Sequence, residues 1–169
     1  MNLKNIAAKI KKLATGKKKL VVIVQCRMSS SRLPGKALMP LGGKTVLEWT
    51  LASMEKIHAS EYYLAVDVAS REALEPVAKK CGWNCYAGSL EDVLDRFCSV
   101  IKLSKADVVV RATADNPFLF YEAAQEMIEE YFSREETDPS DYLTYSGLPH
   151  GSGVEMFNAH SLLKAAEET

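Results

Sequence analysis

The chain has 169 residues, 47% of them hydrophobic, which is enough for one compact domain with a substantial core and too few for two ordinary domains. It contains no apolar run approaching the roughly 18 residues that a membrane-spanning helix requires, which argues against a transmembrane protein. Its four cysteines form neither a C-x-x-C pair nor a zinc-like spacing with a histidine, and no secretory leader pattern is seen; they are Cys26, Cys81, Cys85 and Cys98. We therefore expect free thiols in a cytoplasmic protein.

Charge is distributed unevenly along the chain. The formal net charge is only −1, but residues 1–19 contain seven lysines and no acidic residue. The remaining chain carries 14 of the 21 basic residues and all 22 acidic residues, which gives it a net charge of −8. A surface that binds nucleic acid needs clustered Lys and Arg on the folded body, so this balance argues against a general nucleic-acid-binding protein.

The first 19 residues predict a lysine-rich helical extension that is separate from the main domain. Gly16 stands where such a helix can stop, and four apolar residues recur at helical spacing between the lysines: Leu3, Ile6, Ile10 and Leu13. A membrane-surface or RNA-binding role is conceivable, but the apolar stripe is narrow and lacks aromatic residues. We expect the helix to dock on the chain's own body or on a second copy, and we expect a homo-oligomer.

Residues 20–169 predict one α/β domain in which strands and helices alternate. In chain order we predict a strand at 19–26, a helix at 44–59, a strand at 62–68, a helix at 70–82, a strand at 83–88, a helix at 89–104, a strand at 106–113, a helix at 121–136, short strands at 141–146 and 153–158, and a helix at 160–168. This alternation implies βαβ crossovers and a mostly parallel sheet with helices on both faces.

Open parallel sheets bind ligands beyond the carboxyl ends of their strands, which directs attention to three loops. The loop after the first strand, at 25–43, is rich in cationic and hydroxyl side chains: Arg27, Ser29, Ser30, Ser31, Arg32 and Lys36. The three cations are spaced so that a curled loop can direct them toward one anion, while Pro34 stiffens the turn and Gly35 lets backbone approach a ligand. This density of donors after a core strand favours a polyphosphate site over an ordinary solvated loop.

Two common nucleotide-binding motifs are absent from the same region. The sequence LGGKT at 41–45 lacks the glycine that a Walker pattern requires at position 38, where the chain has Leu38. No G-x-G-x-x-G follows the first strand. We interpret LGGKT as a turn followed by a helix start.

The loop after the fourth strand carries a group complementary to the cationic loop. Asp115 directly follows a buried strand, where a carboxylate can hold Mg²⁺ against bound phosphates. The alternative is an Asx turn formed by Asp115 and Asn116 ahead of Pro117. Taken alone, the metal site and the Asx turn explain Asp115 equally well. Together with the cationic loop, the metal site becomes the stronger interpretation.

The loop after the third strand opens a predicted helix. Gly88 and Ser89 present the free amides of a helix start, which suit a nucleobase edge or an anion, and we expect Ser89 to cap the helix. Within that helix Asp92, Asp95 and Arg96 fall on one side, and an ordinary i,i+4 surface ion pair between Asp92 and Arg96 is an interpretation at least as strong as a functional one.

Three motifs together resemble one known family. In chain order they are QCRMSSSRLPGKAL, GSLEDVLDRF and VVVRATADNPF. They are similar to the SpsF-like cytidylyltransferases of spore coat polysaccharide biosynthesis and, more distantly, to the CMP-KDO and CMP-acylneuraminate synthetases. The resemblance implies a Rossmann-like nucleotide-diphospho-sugar transferase fold. It also implies transfer of CMP from CTP to an acidic sugar for surface polysaccharide synthesis, with release of pyrophosphate.

The resemblance assigns roles to individual residues. The CTP triphosphate would be held by Arg27, Ser29, Arg32 and Lys36, the cytidine would meet Ser89 and neighbouring backbone, and Mg²⁺ would be bound by Asp115. Lys36, Arg27 and Asp115 are thus the predicted catalytic residues, and Ser30 and Gly88 are added to the predicted nucleotide site. No general base emerges from the sequence.

Two departures from the family pattern leave alternatives open. Cys26 stands where the family usually has alanine, which is expected to narrow the base pocket. The family generally continues with a segment that contains Asp-Thr-Pro-Glu-Asp and resembles a second metal-holding site, so we expect a domain that is incomplete at its C-terminal end. The alternatives are a nucleotide-binding module without turnover and a nucleotidyltransferase of the same fold for another sugar or nucleotide. Glu155 either faces the sugar pocket or is a sheet-edge carboxylate.

Overall fold

The computed structural model describes residues 18–134 and 140–168. The strands are β1 (Leu20–Cys26), β2 (Pro40–Leu41), β3 (Lys44–Thr45), β4 (Glu61–Asp67), β5 (Asn84–Gly88), β6 (Val108–Thr113), β7 (Tyr142–Thr144) and β8 (Glu155–Asn158). The helices are α1 (Val46–Met54), α2 (Arg71–Lys80), α3 (Val93–Ser104), α4 (Tyr121–Arg134) and α5 (Ala159–Glu167). The apolar positions of the predicted extension lie outside the described residues. Within the described part, no helix is long and apolar enough to cross a membrane.

Six strands form one sheet in the order β5-β4-β1-β6-β8-β7. The first four are parallel, because β1 pairs in parallel with both β4 and β6, and β4 with β5. Strand β8 runs antiparallel to β6, and β7 antiparallel to β8. The predicted, mostly parallel sheet is therefore confirmed, with two antiparallel strands at one side. Glu155 lies on β8, which is an inner strand, so the sheet-edge interpretation of this residue is wrong.

Helices cover both faces of the sheet, as predicted. Alternate residues of β1 point to opposite sides, so Val22 and Val24 join one apolar cluster while Val21 and Ile23 join the other. The first cluster includes buried side chains of α1, α2 and α4, and the second includes those of α3 and α5. Because β1 is covered on both faces and paired on both sides, its carboxyl end is a fixed platform for the loop that follows.

Several helix boundaries differ from the prediction because local capping groups set them. Helix α1 begins after Thr45, whose side chain accepts a hydrogen bond from the Glu48 amide while Glu48 binds the Thr45 amide. Helix α3 begins at Val93, and its cap is Asp92, which accepts from the Asp95 amide. The predicted cap at Ser89 is therefore wrong, and the amides of Gly88 and Ser89 are not those of a helix start.

Candidate functional site

A cavity of about 330 Å³ lies at the carboxyl ends of β1 and β6. Five of the predicted site residues line it: Arg27, Ser30, Arg32, Lys36 and Asp115. The other three predicted site residues, Ser29, Gly88 and Ser89, do not line it. Leu90, which follows Ser89, does. The lining contains four cationic side chains, which are those of Arg27, Arg32, Lys36 and Arg96, against one carboxylate. The cavity is thus strongly cationic within a body that is acidic overall.

The loop after β1 folds back on itself at Met28. The Met28 carbonyl accepts hydrogen bonds from the amides of Ser30 and Gly35, both at 3.0 Å. Gly35 has φ 72°, a left-handed conformation that favours glycine and that closes this turn. The Ser30 hydroxyl accepts from the Leu33 amide at 3.3 Å, which braces the inside of the loop. The predicted curl is therefore present, and it places Arg27, Arg32 and Lys36 around one cavity.

The same loop is anchored to β4 through a buried polar group that the sequence analysis did not select. The Met28 amide donates to the Ser70 hydroxyl at 2.8 Å, and that hydroxyl donates to the Asp67 carboxylate at 2.6 Å. Both Asp67 and Ser70 are 2% exposed. Asp67 ends β4 at the same edge of the sheet as the site. The rule that ligands bind beyond the carboxyl ends of parallel strands therefore identifies Asp67 when it is applied to β4 as well as to β1 and β6.

Lys36 and Asp115 form an ion pair at the cavity, joined by a short hydrogen bond. Burial acts to raise the pKa of Asp115, but the hydrogen bond and charge of Lys36, together with hydrogen bonds from Thr113 and the Asp115 amide, lower it from its ordinary value. The turn after β6 is closed instead by Asn116, whose side-chain amide donates to the Thr113 hydroxyl at 2.7 Å. The Asp115 carboxylate thus pairs with Lys36 and also accepts hydrogen bonds from the Thr113 side chain and from its own backbone amide.

Arg96 forms part of the cavity wall and is 2% exposed. Its Nη1 donates to the carbonyl oxygens of Ser89 and Leu90. Its Nε is buried and has no hydrogen-bond partner among the described residues. Burial lowers the pKa of this guanidinium, while the nearby Asp67 carboxylate opposes that shift. Of the two interpretations of this side of the helix, the Asp92–Arg96 surface pair is wrong, because Arg96 is buried and lines the cavity.

Gly88 is explained by its contact with the same arginine. A Cβ at this position would lie 3.0 Å from Arg96 Cγ and 3.1 Å from Tyr86 Cε1. The absence of a side chain therefore lets the aliphatic part of Arg96 cross the end of β5. The Ser89 hydroxyl accepts from the Asp92 amide at 3.1 Å, so this serine supports the turn before α3.

Cys26 lies at the base of the cavity and is an unreactive thiol. Burial, followed by the charges of Asp115 and Asp67, raises the pKa of Cys26 to about 12. All four cysteines are free, as predicted. The thiolate is the nucleophilic form of cysteine, so Cys26 takes no chemical part at neutral pH.

In open α/β sheets a ligand binds beyond the carboxyl ends of the strands, where the strand order switches, and the cationic cavity lies at that place beside β1 and β6. The model of one family, cytidylyltransferase, matches residues 21–169. The chain belongs to the cytidylyltransferase family. This confirms the sequence resemblance.

Individual relatives agree with this assignment. The chain is similar to the spore coat polysaccharide biosynthesis protein SpsF of Bacillus subtilis (strain 168), with 35% identity over 153 residues, 85% of this chain and 61% of that protein. It is similar to the structure of a cytidylyltransferase from Leptospira borgpetersenii serovar Hardjo-bovis (TM-score 0.84, 25% identity), covering 90% of this chain and 66% of that one. A CMP:2-keto-3-deoxy-manno-octonic acid synthetase complexed with CTP shares the fold (TM-score 0.67, 17% identity), over 88% of this chain and 78% of the synthetase.

These similarities confirm the predicted nucleotide-diphospho-sugar transferase fold. The chain spans about 61% of the length of SpsF and 66% of the Leptospira protein.

Proposed function

We propose that this chain carries the nucleotide site of a cytidylyltransferase that transfers CMP from CTP to an acidic sugar, releases pyrophosphate and serves surface polysaccharide synthesis. The observation that carries the proposal is the cavity with four cationic side chains and a single carboxylate beyond β1 and β6. A triphosphate is the kind of ligand that such a charge distribution favours. Since CTP is a cytoplasmic nucleotide, we propose a cytoplasmic reaction.

Each cationic residue has a proposed contact. Arg27, Arg32 and Lys36 bind the triphosphate, and the loop held at Met28 positions them. The buried Arg96 Nε, which lacks a partner among the described residues, donates to an oxygen of the cytidine half. Ser89 and Gly88 act indirectly, since the first accepts from Arg96 and the second leaves room for it. Ser30 supports the loop by accepting from the Leu33 amide, and Ser29 keeps the triphosphate contact that the resemblance implies.

The residues present fit a phosphate-bound metal ion rather than a closed protein cage. The described residues contain no group of three His, Cys, Asp or Glu side chains able to hold a metal. Mg²⁺ is commonly held by one or two carboxylates together with substrate phosphates, and Asp115 is a carboxylate of that kind. When bound there, Mg²⁺ would neutralise phosphate charge. Lys36 already lies against Asp115 and is close enough to serve the same phosphates.

The reaction then depends on positioning and charge. An acceptor oxygen forms a bond to the α-phosphorus of CTP, and the bond from that phosphorus to the bridging oxygen of pyrophosphate breaks in line with it. Arg27, Arg32 and Lys36 stabilise the charge that develops on the phosphate oxygens and the leaving pyrophosphate. Asp115 is a poor proton acceptor because its pKa is lowered, so the acceptor proton leaves to solvent or to phosphate.

A second candidate function is nucleotide binding without turnover. It is favoured by one observation, that Asp115 is the only carboxylate among the described cavity-lining residues. Such a module would bind CTP and release no pyrophosphate. A third candidate is a nucleotidyltransferase of the same fold for another sugar or nucleotide. Its preference among the nucleoside triphosphates would distinguish it from the first proposal.

The test is pyrophosphate release from CTP with Mg²⁺ across a panel of nonulosonic and other acidic sugars, with ATP, GTP and UTP in parallel. We expect release with CTP and at least one acidic sugar, and its loss in Asp115→Asn. The matched control is Asp107→Asn, at the opposite end of β6, whose oxygen can still accept from the Lys19 amide. CTP binding without release from any sugar would support the second candidate, and absence of CTP binding would contradict both.

A further inference from the structure

A chain of hydrogen bonds runs from the antiparallel side of the sheet to the cavity. The Tyr142 hydroxyl donates to Glu155 at 3.0 Å, and Glu155 forms an ion pair with Arg111 Nη1. Arg111 Nε donates to the side-chain oxygen of Gln25 at 3.2 Å. Gln25 lines the cavity, between the cationic loop and Thr113. Hydrogen bonds thus link four residues, one each on β7, β8, β6 and β1, across the sheet.

This chain fixes which end of the Gln25 amide faces the cavity. A guanidinium only donates hydrogen bonds, so the amide group turned toward Arg111 must be its oxygen. The nitrogen is then turned away from Arg111, and among the described residues it has no hydrogen-bond partner. Gln25 therefore offers two N–H donors and no acceptor on its free side.

Reversal of the amide is opposed by the surrounding contacts. It would set the amide N–H groups against the guanidinium and leave donors on both sides unpaired. Arg111 is itself held in place, by Glu155 on one side and by the ring of Phe97, 5.9 Å from its guanidinium carbon, on the other. The polarity of Gln25 is thus a built feature of the site.

The position of Gln25 within the sheet separates it from the nucleotide contacts proposed above. The Arg96 side chain lies against Gly88 at the end of β5 and donates to the Ser89 and Leu90 carbonyls, so its contacts are at the β5 side of the sheet order. The partners of Gln25 lie on β6, β8 and β7, at the other side. The proposed function assigns the phosphates to the loop after β1, between these two groups, which leaves the Gln25 side for the acceptor.

We propose that Gln25 is a specificity-determining residue that donates its amide N–H groups to the carboxylate of the acidic sugar, and that Arg111 and Glu155 are positioning residues for it. This inference rests on the proposed function, because it assumes a sugar acceptor beside CTP. A carboxylate only accepts hydrogen bonds, and donors aimed at a charged acceptor contribute more than those aimed at a neutral one. A fixed donor pair therefore favours an acidic sugar over a neutral analogue.

The test uses the side-chain amide signals of the full ¹⁵N-labelled chain. The chain has only two glutamines, Gln25 and Gln125, so Gln25→Glu and the matched control Gln125→Glu assign both signal pairs. The probes are 3-deoxy-manno-octulosonate, N-acetylneuraminate and their neutral C1 amides, each added with CMP present. We expect an acidic sugar to shift the Gln25 signals more than its C1 amide does, while CTP alone leaves them nearly unmoved.

The variants provide a second readout. Gln25→Met, which removes the N–H donors without adding a charge, should weaken binding of the acidic sugar about tenfold or more and leave CTP affinity within about twofold, whereas Gln125→Met should change neither. Arg111→Lys should reduce the preference for the acid over its amide without changing CTP affinity. Gln25 signals that move with CTP alone, or with none of the sugars, would overturn the inference. These are binding measurements, so they stand apart from pyrophosphate release, whose absence would overturn the proposed function instead.

Discussion

Cys26 illustrates how one buried group at the site depends on its neighbours. It ends β1 directly before Arg27, and it is 6% exposed. Burial, Asp115 and Asp67 all disfavour its thiolate, so its pKa is raised from 9.0 to about 12. A raised pKa in the folded state means that the unfolded chain releases this proton first as pH rises.

The linkage gives a prediction for alkaline solution. The contribution of Cys26 to stability is complete below pH 9, the unfolded value, and is lost as pH rises toward about 12, the folded value. The slope from this group is about 1.4 kcal/mol per pH unit over that window. We expect Cys26→Ala to lose stability less steeply than the wild type in urea unfolding at about pH 8, 9.5 and 10.5. Parallel curves for the two proteins would contradict the assignment. Cys81→Ala is the comparison, at a half-buried thiol whose pKa burial also raises, and it should change the pH dependence less than Cys26→Ala does.

At the scale of elements, the turn between β5 and α3 is arranged around Arg96. The Ser89 and Leu90 carbonyls accept from its guanidinium, and Asp92 caps the helix that carries it. Gly88 completes this arrangement because its missing Cβ leaves room for the arginine stem.

Gly88→Ala should therefore displace Arg96. The added methyl would meet Arg96 Cγ at 3.0 Å, so we expect a loss of about 1–3 kcal/mol in the free energy of unfolding, together with weaker CTP binding. The control is Gly153→Ala, where an added Cβ meets nothing within 4 Å. Denaturant unfolding and CTP titration measure both effects. Equal stability of the two variants would show that Arg96 does not need the space at Gly88.

The sequence predicted these elements to different degrees. The parallel strands were predicted from runs of β-branched residues, and both helix layers from helical periodicity. Both patterns reflect which side chains are buried, and this can be read from the sequence. The start of α3 was missed because Ser89 and Asp92 are both acceptable caps, and only the packed turn decides between them. The inward direction of Arg96 was missed for a similar reason, since its i,i+4 spacing from Asp92 says nothing about the space left by Gly88.

At the scale of the whole molecule, charge is segregated. The chain beyond residue 19 has a net charge of −8, yet four of its cationic side chains surround one cavity with a single carboxylate. A local positive field within an acidic body attracts an anionic nucleotide while limiting binding to nucleic acid. The sequence predicted this grouping because the loops after parallel strands meet at one edge of the sheet. The Met28–Ser70 and Gln25–Arg111 contacts join residues that are 42 and 86 positions apart in sequence, and no local pattern reported them.

The helical extension and the self-association expected from it stay predictions, because the apolar positions Leu3, Ile6, Ile10 and Leu13 lie outside the described residues. The lysines of this segment are opposite in charge to the rest of the chain, which has a net charge of −8. This leaves the cationic cavity as the feature on which the functional account depends.

The most direct test of that account is calorimetric titration of CTP and CMP, with Mg²⁺, into the wild type, Lys36→Ala and the surface control Lys102→Ala. If Lys36 meets the outer phosphates, Lys36→Ala weakens CTP binding about tenfold or more and CMP binding much less, while Lys102→Ala changes neither. Equal losses for CTP and CMP, or no loss for either, would contradict a triphosphate site in this cavity.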